Sequence, residues 1–449
     1  MATIAFCMLP LEGPMNGALS LAKPLRERGH QVYFVGMPDC EELVAPHDFA
    51  FVPIYSQWFP KGYMRWWQSG GASPFRVFLE RRKIVLRGRD HFRFLMRGGH
   101  HEFREVMEGV RPELLIIDGS HAPTWALLAH QAGLKSVYLH TTIPPAADPE
   151  RPPTFTMLLP RNTAGSRWRM RLAWWKFFLQ RYCIIKTQTL CGFGYDWIAY
   201  TRKLARVCGY PVNQLNTKTM FSVLLRLPQI ILYPREFEFP GGAIEGHHYI
   251  EAAIDWDRQD VDFPWEQIDP QKQLIYCSLG SIHTNKRFFQ SVIDAVRRET
   301  DWQLVMTIGD HLQADAFSNV PANSVLVHRA PQLKLLGKAE LMITHGGINS
   351  IRECIYYKVP MVMFPIAFDQ PGAAARVVFH GLGLAGSWKS MSADQIHTLI
   401  STVLRESSIR SRIGRMSEIF RKAEAEQRGV RLIEAMLADS LVLSELTPP

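Results

Sequence analysis

A strand–loop–helix–strand rhythm opens the chain and returns in its second half, and this recurrence limits the fold more than any other feature. An apolar run, Ile4–Leu9, leads into a Gly/Pro turn, Pro10–Gly17. Apolar residues at helical spacing follow (Leu19, Leu21, Ala22, Leu25) and stop at Gly29, before a second strand-like run at Gln31–Val35. The period switches from two to nearly four, as at the opening of a parallel α/β sheet. Strands are expected at Leu114–Asp118 and Ser136–His140, with a helix near Trp125–Ala132 between them. From about Pro144 to Leu227 the alternation gives way to basic, aromatic, helical sequence. The rhythm then restarts, with strands expected at Leu274–Leu279, Leu304–Ile308, Val325–Val327, Leu341–Thr344 and Met361–Phe364. Helices are expected at Arg287–Arg298, Leu333–Gly337, Ser350–Tyr357 and Gly372–Phe379, and two more close the chain near Ala393–Leu404 and Ile409–Met436.

At 449 residues the chain exceeds what one hydrophobic core usually organises. The reading is therefore two Rossmann-like lobes facing across a cleft, residues 1–240 and 271–449, with a basic aromatic insert at 150–227 in the first lobe. The connection is expected at 241–270, where Pro240-Gly241-Gly242 and the acidic stretch Asp255–Asp262 replace periodicity. The closing helices are expected to pack back towards the first lobe. No apolar run is long enough to cross a bilayer, and Met1–Pro10 lacks the features of a secretory signal. Seven scattered cysteines without a C-x-x-C pair read as reduced thiols, and the expected location is the cytoplasm. The net charge of +9 favours anionic partners, yet no nucleic-acid-binding module is recognisable. No Cys/His cluster has zinc spacing, and no metal site is expected; Asp255-Trp256-Asp257 reads as part of a solvated acidic linker.

The richest segment is Thr344-His345-Gly346-Gly347-Ile348-Asn349-Ser350-Ile351-Arg352-Glu353. A buried strand ends at a histidine, two glycines allow a tight turn, and a helix begins at Asn349/Ser350. That arrangement aims free backbone N–H groups and the positive helix end at one place, which suits a phosphate. His345 and Ser350 add side-chain donors, and Glu353, one turn on, can accept from ribose hydroxyls. After another strand, Asp369 and Gln370 fall on the same rim, a carboxylate beside an amide that suits a sugar.

These residues, with Pro360 and Pro365, resemble the donor-site signature of the UDP-glycosyltransferase superfamily. Ala330-Pro331-Gln332 looks like its Pro-Gln element, and Ser278-x-Gly280-Ser281 like its serine–glycine loop. The run from Phe368 to Gly383 looks closest to bacterial zeaxanthin glucosyltransferases. The resemblance is strong over Leu274–Gly383, fair over Ile4–Val35 and weak between. It implies the two-lobed GT-B fold, with an acceptor in the first lobe and a nucleotide-diphosphate sugar in the second, without any further cofactor. It implies inversion at the anomeric carbon and no bound metal. His345 would contact the α-phosphate, Asn349 and Ser350 the β-phosphate side, and Glu353 the ribose. Asp369 and Gln370 would hold the sugar, with Gln332 near the base. Arg329 stands where the family often has a stacking Trp, which leaves uridine against thymidine open, with UDP favoured.

One departure bears on the chemistry. The family carries a catalytic His in the first loop, and here that loop reads Glu12-Gly13-Pro14-Met15 with Pro14 in its place. Proline accepts no proton, and displacement by a hydroxyl needs a base. Asp118, at the end of its strand, and Glu12 are the candidates to replace it; His121 and His140 lie at comparable rim positions. The alternative is a catalytically silent sugar-nucleotide-binding protein. Arg167–Phe178 mixes cations and aromatics at helical spacing, and reads either as an interfacial helix at the inner face of the membrane or as a helix packed on the acceptor cleft. Both suit a lipophilic acceptor.

Overall fold

The computed structural model describes residues 1–63, 74–119, 123–190, 196–220, 223–258, 261–280, 285–388 and 391–438. The first lobe is built from β1 (Thr3–Cys7), α1 (Glu12–Glu27), β2 (Gln31–Gly36), β3 (Ala50–Pro53), α2 (Pro74–Phe94), α3 (His100–Val110), β4 (Leu114–Asp118), α4 (Pro123–Gln131), β5 (Ser136–His140), α5 (Ala164–Gln188), α6 (Trp197–Val207), β6 (Gln229–Ile231) and β7 (His247–Tyr249). Its sheet has the order β3-β2-β1-β4-β5-β6-β7, and every pair is parallel. The order reverses between β1 and β4. Ligands in open parallel sheets bind beyond the strand ends at such a point.

The second lobe repeats the plan. It comprises β8 (Gln273–Ser278), α7 (Lys286–Val296), β9 (Trp302–Thr307), β10 (Ser324–Val327), α8 (Gln332–Leu336), β11 (Leu341–Thr344), α9 (Ile348–Tyr357), β12 (Met361–Met363), α10 (Gln370–His380) and β13 (Gly383–Ala385), then α11 (Ala393–Arg405), α12 (Ser407–Ala425) and α13 (Arg428–Leu437). Its sheet is also all parallel, in the order β10-β9-β8-β11-β12-β13, with the reversal between β8 and β11. The α/β two-lobed fold anticipated from the repeated rhythm is present.

Buried apolar side chains cover both faces of each sheet, which is why the central strands read as continuous hydrophobic runs. The lobes also share core. Ile143, Ile231, Tyr233 and Phe237 of the first lobe cluster with Tyr276, Ile348 and Ile351 of the second. At the other end Val430, Leu432, Ile433 and Met436 of α13 join Leu21 and Leu25 of α1, so the chain does close back onto its first lobe. There Gly429 is pressed so tightly that a Cβ would lie 2.6 Å from Ile250 and 2.7 Å from Leu21.

Three expectations need correction. The first sheet extends to Tyr249, so its last strand lies inside 241–270; Gln229–Ile231 and His247–Tyr249 are too short to show a period. Asp255 itself is not solvated: the residue is 3% exposed and ion-paired with Lys23 of α1, which also reaches the exposed Asp257 at 3.2 Å. The last expected helix, Ile409–Met436, is two, because Gln427 turns into the left-handed region (φ 46°) between α12 and α13.

Candidate donor and catalytic site

β11 delivers His345 to the reversal point of the second sheet, and the turn that follows depends on its glycines. Gly346 has φ +83°, a conformation open to glycine at little cost. The His345 ring is boxed by backbone: a Cβ on Gly280 (φ +74°) would lie 2.8 Å from its Cε1, and one on Gly347 would lie 2.7 Å from its Nε2. The ring therefore lies close against both glycines, beside the N-terminus of α9. That helix starts at Ile348, one residue earlier than expected, with Gly347 as its cap. Its first-turn N–H groups and positive end point where the sequence places a phosphate.

A polar network runs behind this turn. Gln332 accepts from the Tyr276 hydroxyl at 3.3 Å and donates to Ser350 Oγ at 3.4 Å and to Glu353 Oε2. Glu353 is 4% exposed, and its Oε1 accepts from Arg258 at 2.6 Å. Thus Gln332, Ser350 and Glu353 are brought together, and Arg258, in the connecting segment, joins them. Arg329 stands at the rim, largely exposed and paired with Asp310 at 3.0 Å. Glu12 acts on it electrostatically from the opposite lobe.

Asn349, in the first turn of α9, is bonded within the protein. Its Nδ2 donates to the Gly13 carbonyl at 2.9 Å, while its Oδ1 accepts from Arg352. Arg352 is 2% exposed, donates also to the Leu232 carbonyl at 2.9 Å, and burial pushes its guanidinium down to about 10. Asp369 and Gln370 also turn inward. Asp369 accepts the Ile143 N–H at 3.0 Å, and burial holds its carboxyl above the usual range. Gln370 Oε1 accepts the N–H groups of Ile366 and Ala367 at 2.9 and 3.0 Å. The exposed tip of that loop is Phe368, a non-glycine residue at φ 56°. Both residues stand at the head of α10, on the rim that the sequence indicated, but their described bonds are to protein backbone.

The two candidate bases differ in access. Asp118 ends β4 with 0% exposure; its charge acts on Cys40 and His140, both buried. His140 is no rim residue: its Nε2 meets Gln229 Oε1 at 2.7 Å, and burial drives its ring down to about 4, so it is neutral at pH 7. The helix α1 begins at Glu12, inside the stretch Pro10–Gly17 expected as a turn, and Glu12 is exposed at its first position, next to the Gly13 carbonyl that Asn349 holds. Pro14 fits the first helical turn, where the N–H it lacks has no intrahelical partner. Ser281 and His121 lie outside the described residues. Among the described residues no three His, Cys, Asp or Glu side chains gather as a metal-ligand set.

The residues that sequence reasoning missed are Arg258, Arg352, Ile143 and the Gly13 carbonyl. Each acts through a partner about a hundred residues or more away, apart from the Arg352–Asn349 contact. No local pattern signals such pairs.

Residues 263–433 match the family described as UDP-glucoronosyl and UDP-glucosyl transferase. An uncharacterized UDP-glucosyltransferase, YojK, of Bacillus subtilis (strain 168) is 29% identical over 194 residues, 43% of this chain and 47% of that protein. The chain thus matches about half the length of that relative. The zeaxanthin glucosyltransferase of Pantoea ananas is 23% identical over 441 residues, covering 95% of this chain and 94% of the relative. Among solved structures, the glycotransferase of kitacinnamycin superposes with a TM-score of 0.67 at 21% identity, over 97% of this chain and 99% of the other. The calicheamicin glycosyltransferase CalG4 gives 0.65 at 18% identity, over 98% and 99%.

Proposed function

We propose that the chain, whose residues 263–433 match the UDP-glucoronosyl and UDP-glucosyl transferase family, transfers a sugar, glucose from UDP-glucose, to a hydroxyl of a hydrophobic small molecule. The observation that carries this reading is the boxed His345 ring beside the N-terminus of α9, at the reversal point of the second sheet. A pyrophosphate there meets a positive helix end and an imidazole held close between Gly280 and Gly347. Glu353 lies about one turn further along α9 and is bonded to Gln332 of α8, and the two serve the ribose and base side. UDP rather than dTDP is the donor in this reading, and the reaction inverts the anomeric carbon without a metal.

Glu12 acts as the base. The acceptor hydroxyl gives its proton to the Glu12 carboxylate as its oxygen bonds to the anomeric carbon, and UDP leaves with the bonding electrons. The support is access: Glu12 is exposed at the start of α1, which Asn349 ties to the second lobe, whereas Asp118 is fully buried. Asp118 then shapes the strand end beneath the acceptor. The names of relatives and neighbours (zeaxanthin, oleandomycin, calicheamicin) concern hydrophobic aglycones, which supports a similar acceptor class here. The test is UDP release from UDP-glucose with and without a bacterial lipid extract, with His345→Ala as the blank. Extract-dependent release supports transfer. UDP binding without release from any donor favours the second reading, a sugar-nucleotide-binding protein that lost its chemistry with the histidine that Pro14 replaces.

A further inference from the structure

Helix α5 is apolar on two faces, and only one of them is used. The inner face is docked: Trp174 is buried and packs edge-on against Phe155 at 5.2 Å, and Phe155 stacks on Phe177 at 4.4 Å. Arg181 donates to the carbonyls of Thr219 and Thr217, both at 2.8 Å, and lies 4.8 Å over the Phe178 ring. These contacts fix the helix as a rigid rod on the first lobe.

The outer face carries Trp168, Leu172, Trp175, Leu179 and Tyr182, with Trp168 63%, Trp175 62% and Tyr182 59% exposed. At roughly 100° per residue these five fall in a stripe about 80° wide, opposite the docked face. Single exposed hydrophobic residues need no explanation, but a continuous row of this kind does. The charges around it share one sign. Between Ala164 and Gln188 stand Arg167, Arg169, Arg171, Lys176, Arg181 and Lys186, without an Asp or Glu. Arg169 and Lys176 flank the stripe on one side and Arg171 on the other. Beside the start of the helix, Met157, Leu158, Leu159 and Met170 line a cavity of about 400 Å³ together with Arg161 and Arg169. No helix among the described residues is long and apolar enough to cross a membrane.

We propose that α5 lies in the plane of an anionic membrane, with Trp168, Leu172, Trp175, Leu179 and Tyr182 in the headgroup–acyl boundary and the flanking cations on lipid phosphates. Tryptophan and tyrosine between an apolar layer and basic residues fit that boundary. The charge pattern selects the occupant. A second copy of the chain docking through this stripe would set cations against cations with no acid on either helix, whereas an anionic bilayer complements all of them. The inference does not rest on the donor or acceptor, since membrane binding is read without turnover.

The experiment is co-sedimentation of the full chain with vesicles of phosphatidylcholine alone and of phosphatidylcholine with phosphatidylglycerol. Binding is expected only to the anionic vesicles and is weakened by 0.5 M salt. The Trp168→Ser/Trp175→Ser variant, altered only at exposed positions, should bind at least about tenfold more weakly. Arg169→Gln/Lys176→Gln should lose roughly twenty-five-fold, at about fivefold per charge. Light scattering should give the same mass for all three proteins. Equal binding to neutral vesicles, no binding to anionic ones, or undiminished binding by the tryptophan variant overturns the proposal. So does a dimer of the parent protein that the tryptophan substitutions dissolve.

Discussion

The side-chain amide of Asn349 donates to the main-chain carbonyl of Gly13 at 2.9 Å, so the head of α9 in the second lobe is tied to the start of α1 in the first, beside the proposed base Glu12. The same Asn349 accepts from the buried guanidinium of Arg352. One amide thus joins the two lobes and helps satisfy a buried charge.

Asn349→Ala removes that bond and strips Arg352 of a hydrogen-bond acceptor in a buried place. Losing such a partner costs about 1–3 kcal/mol. A urea titration should show the loss. Unchanged stability would mean that Arg352 is held by Leu232 alone.

Behind Asp369, Arg376 of α10 pairs with Glu238 of the first lobe at 2.6 Å, with both side chains 2% exposed. Arg376→Met leaves Glu238 charged and buried without that partner, which should cost about 3–5 kcal/mol. Arg226→Ala breaks a pair whose members are 73% and 87% exposed, and should cost less than about 1 kcal/mol. Equal losses in denaturant titrations would contradict this ranking.

Glu251 accepts the Gly429 N–H at 2.7 Å where α13 closes onto the first lobe, and burial pushes its carboxyl up to about 7. An acid raised this way favours the folded state when protonated. Its contribution, about 3 kcal/mol, is full below the ordinary carboxyl value and lost as pH rises through about 7. Glu251→Gln keeps an acceptor and removes the titration. Stability measured from pH 4.5 to 8 should therefore decline less steeply in the variant than in the parent, and equal slopes would show that Glu251 does not titrate there.

Arg258 occupies one oxygen of Glu353, the carboxylate assigned to the ribose. A bound donor would share that oxygen with the guanidinium. Arg258→Ala should therefore lower the KM for UDP-glucose a few-fold with kcat unchanged. A raised KM would mean instead that Arg258 holds Glu353 in place for the sugar.

What was legible in the sequence follows the reach of each interaction. Leu114–Asp118, Ser136–His140 and Leu341–Thr344 form at the expected boundaries, because buried parallel strands declare themselves as short apolar runs between turn formers. β6 and β7 have three residues each, too few for any period, and so the sequence pattern ends the first sheet early. The His345 turn was legible because a strand end, two glycines and a helix start are contiguous. The inward orientation of Asp369 and Gln370 was not, since it depends on Ile143 and on a backbone reversal at Phe368. The buried state of His140 was hidden too, because rim and core positions at a strand end share the same residue pattern.

With Pro14 standing where the family has its histidine, the proposed sugar transfer depends on Glu12 taking the proton. Single-turnover UDP release from UDP-glucose, in the presence of an active lipophilic acceptor, tests this in the parent protein and in Glu12→Gln. UDP affinity is measured alongside. Turnover is expected to fall by about 10²–10⁴ in the variant, with UDP binding unchanged. Full turnover by Glu12→Gln would contradict the assignment.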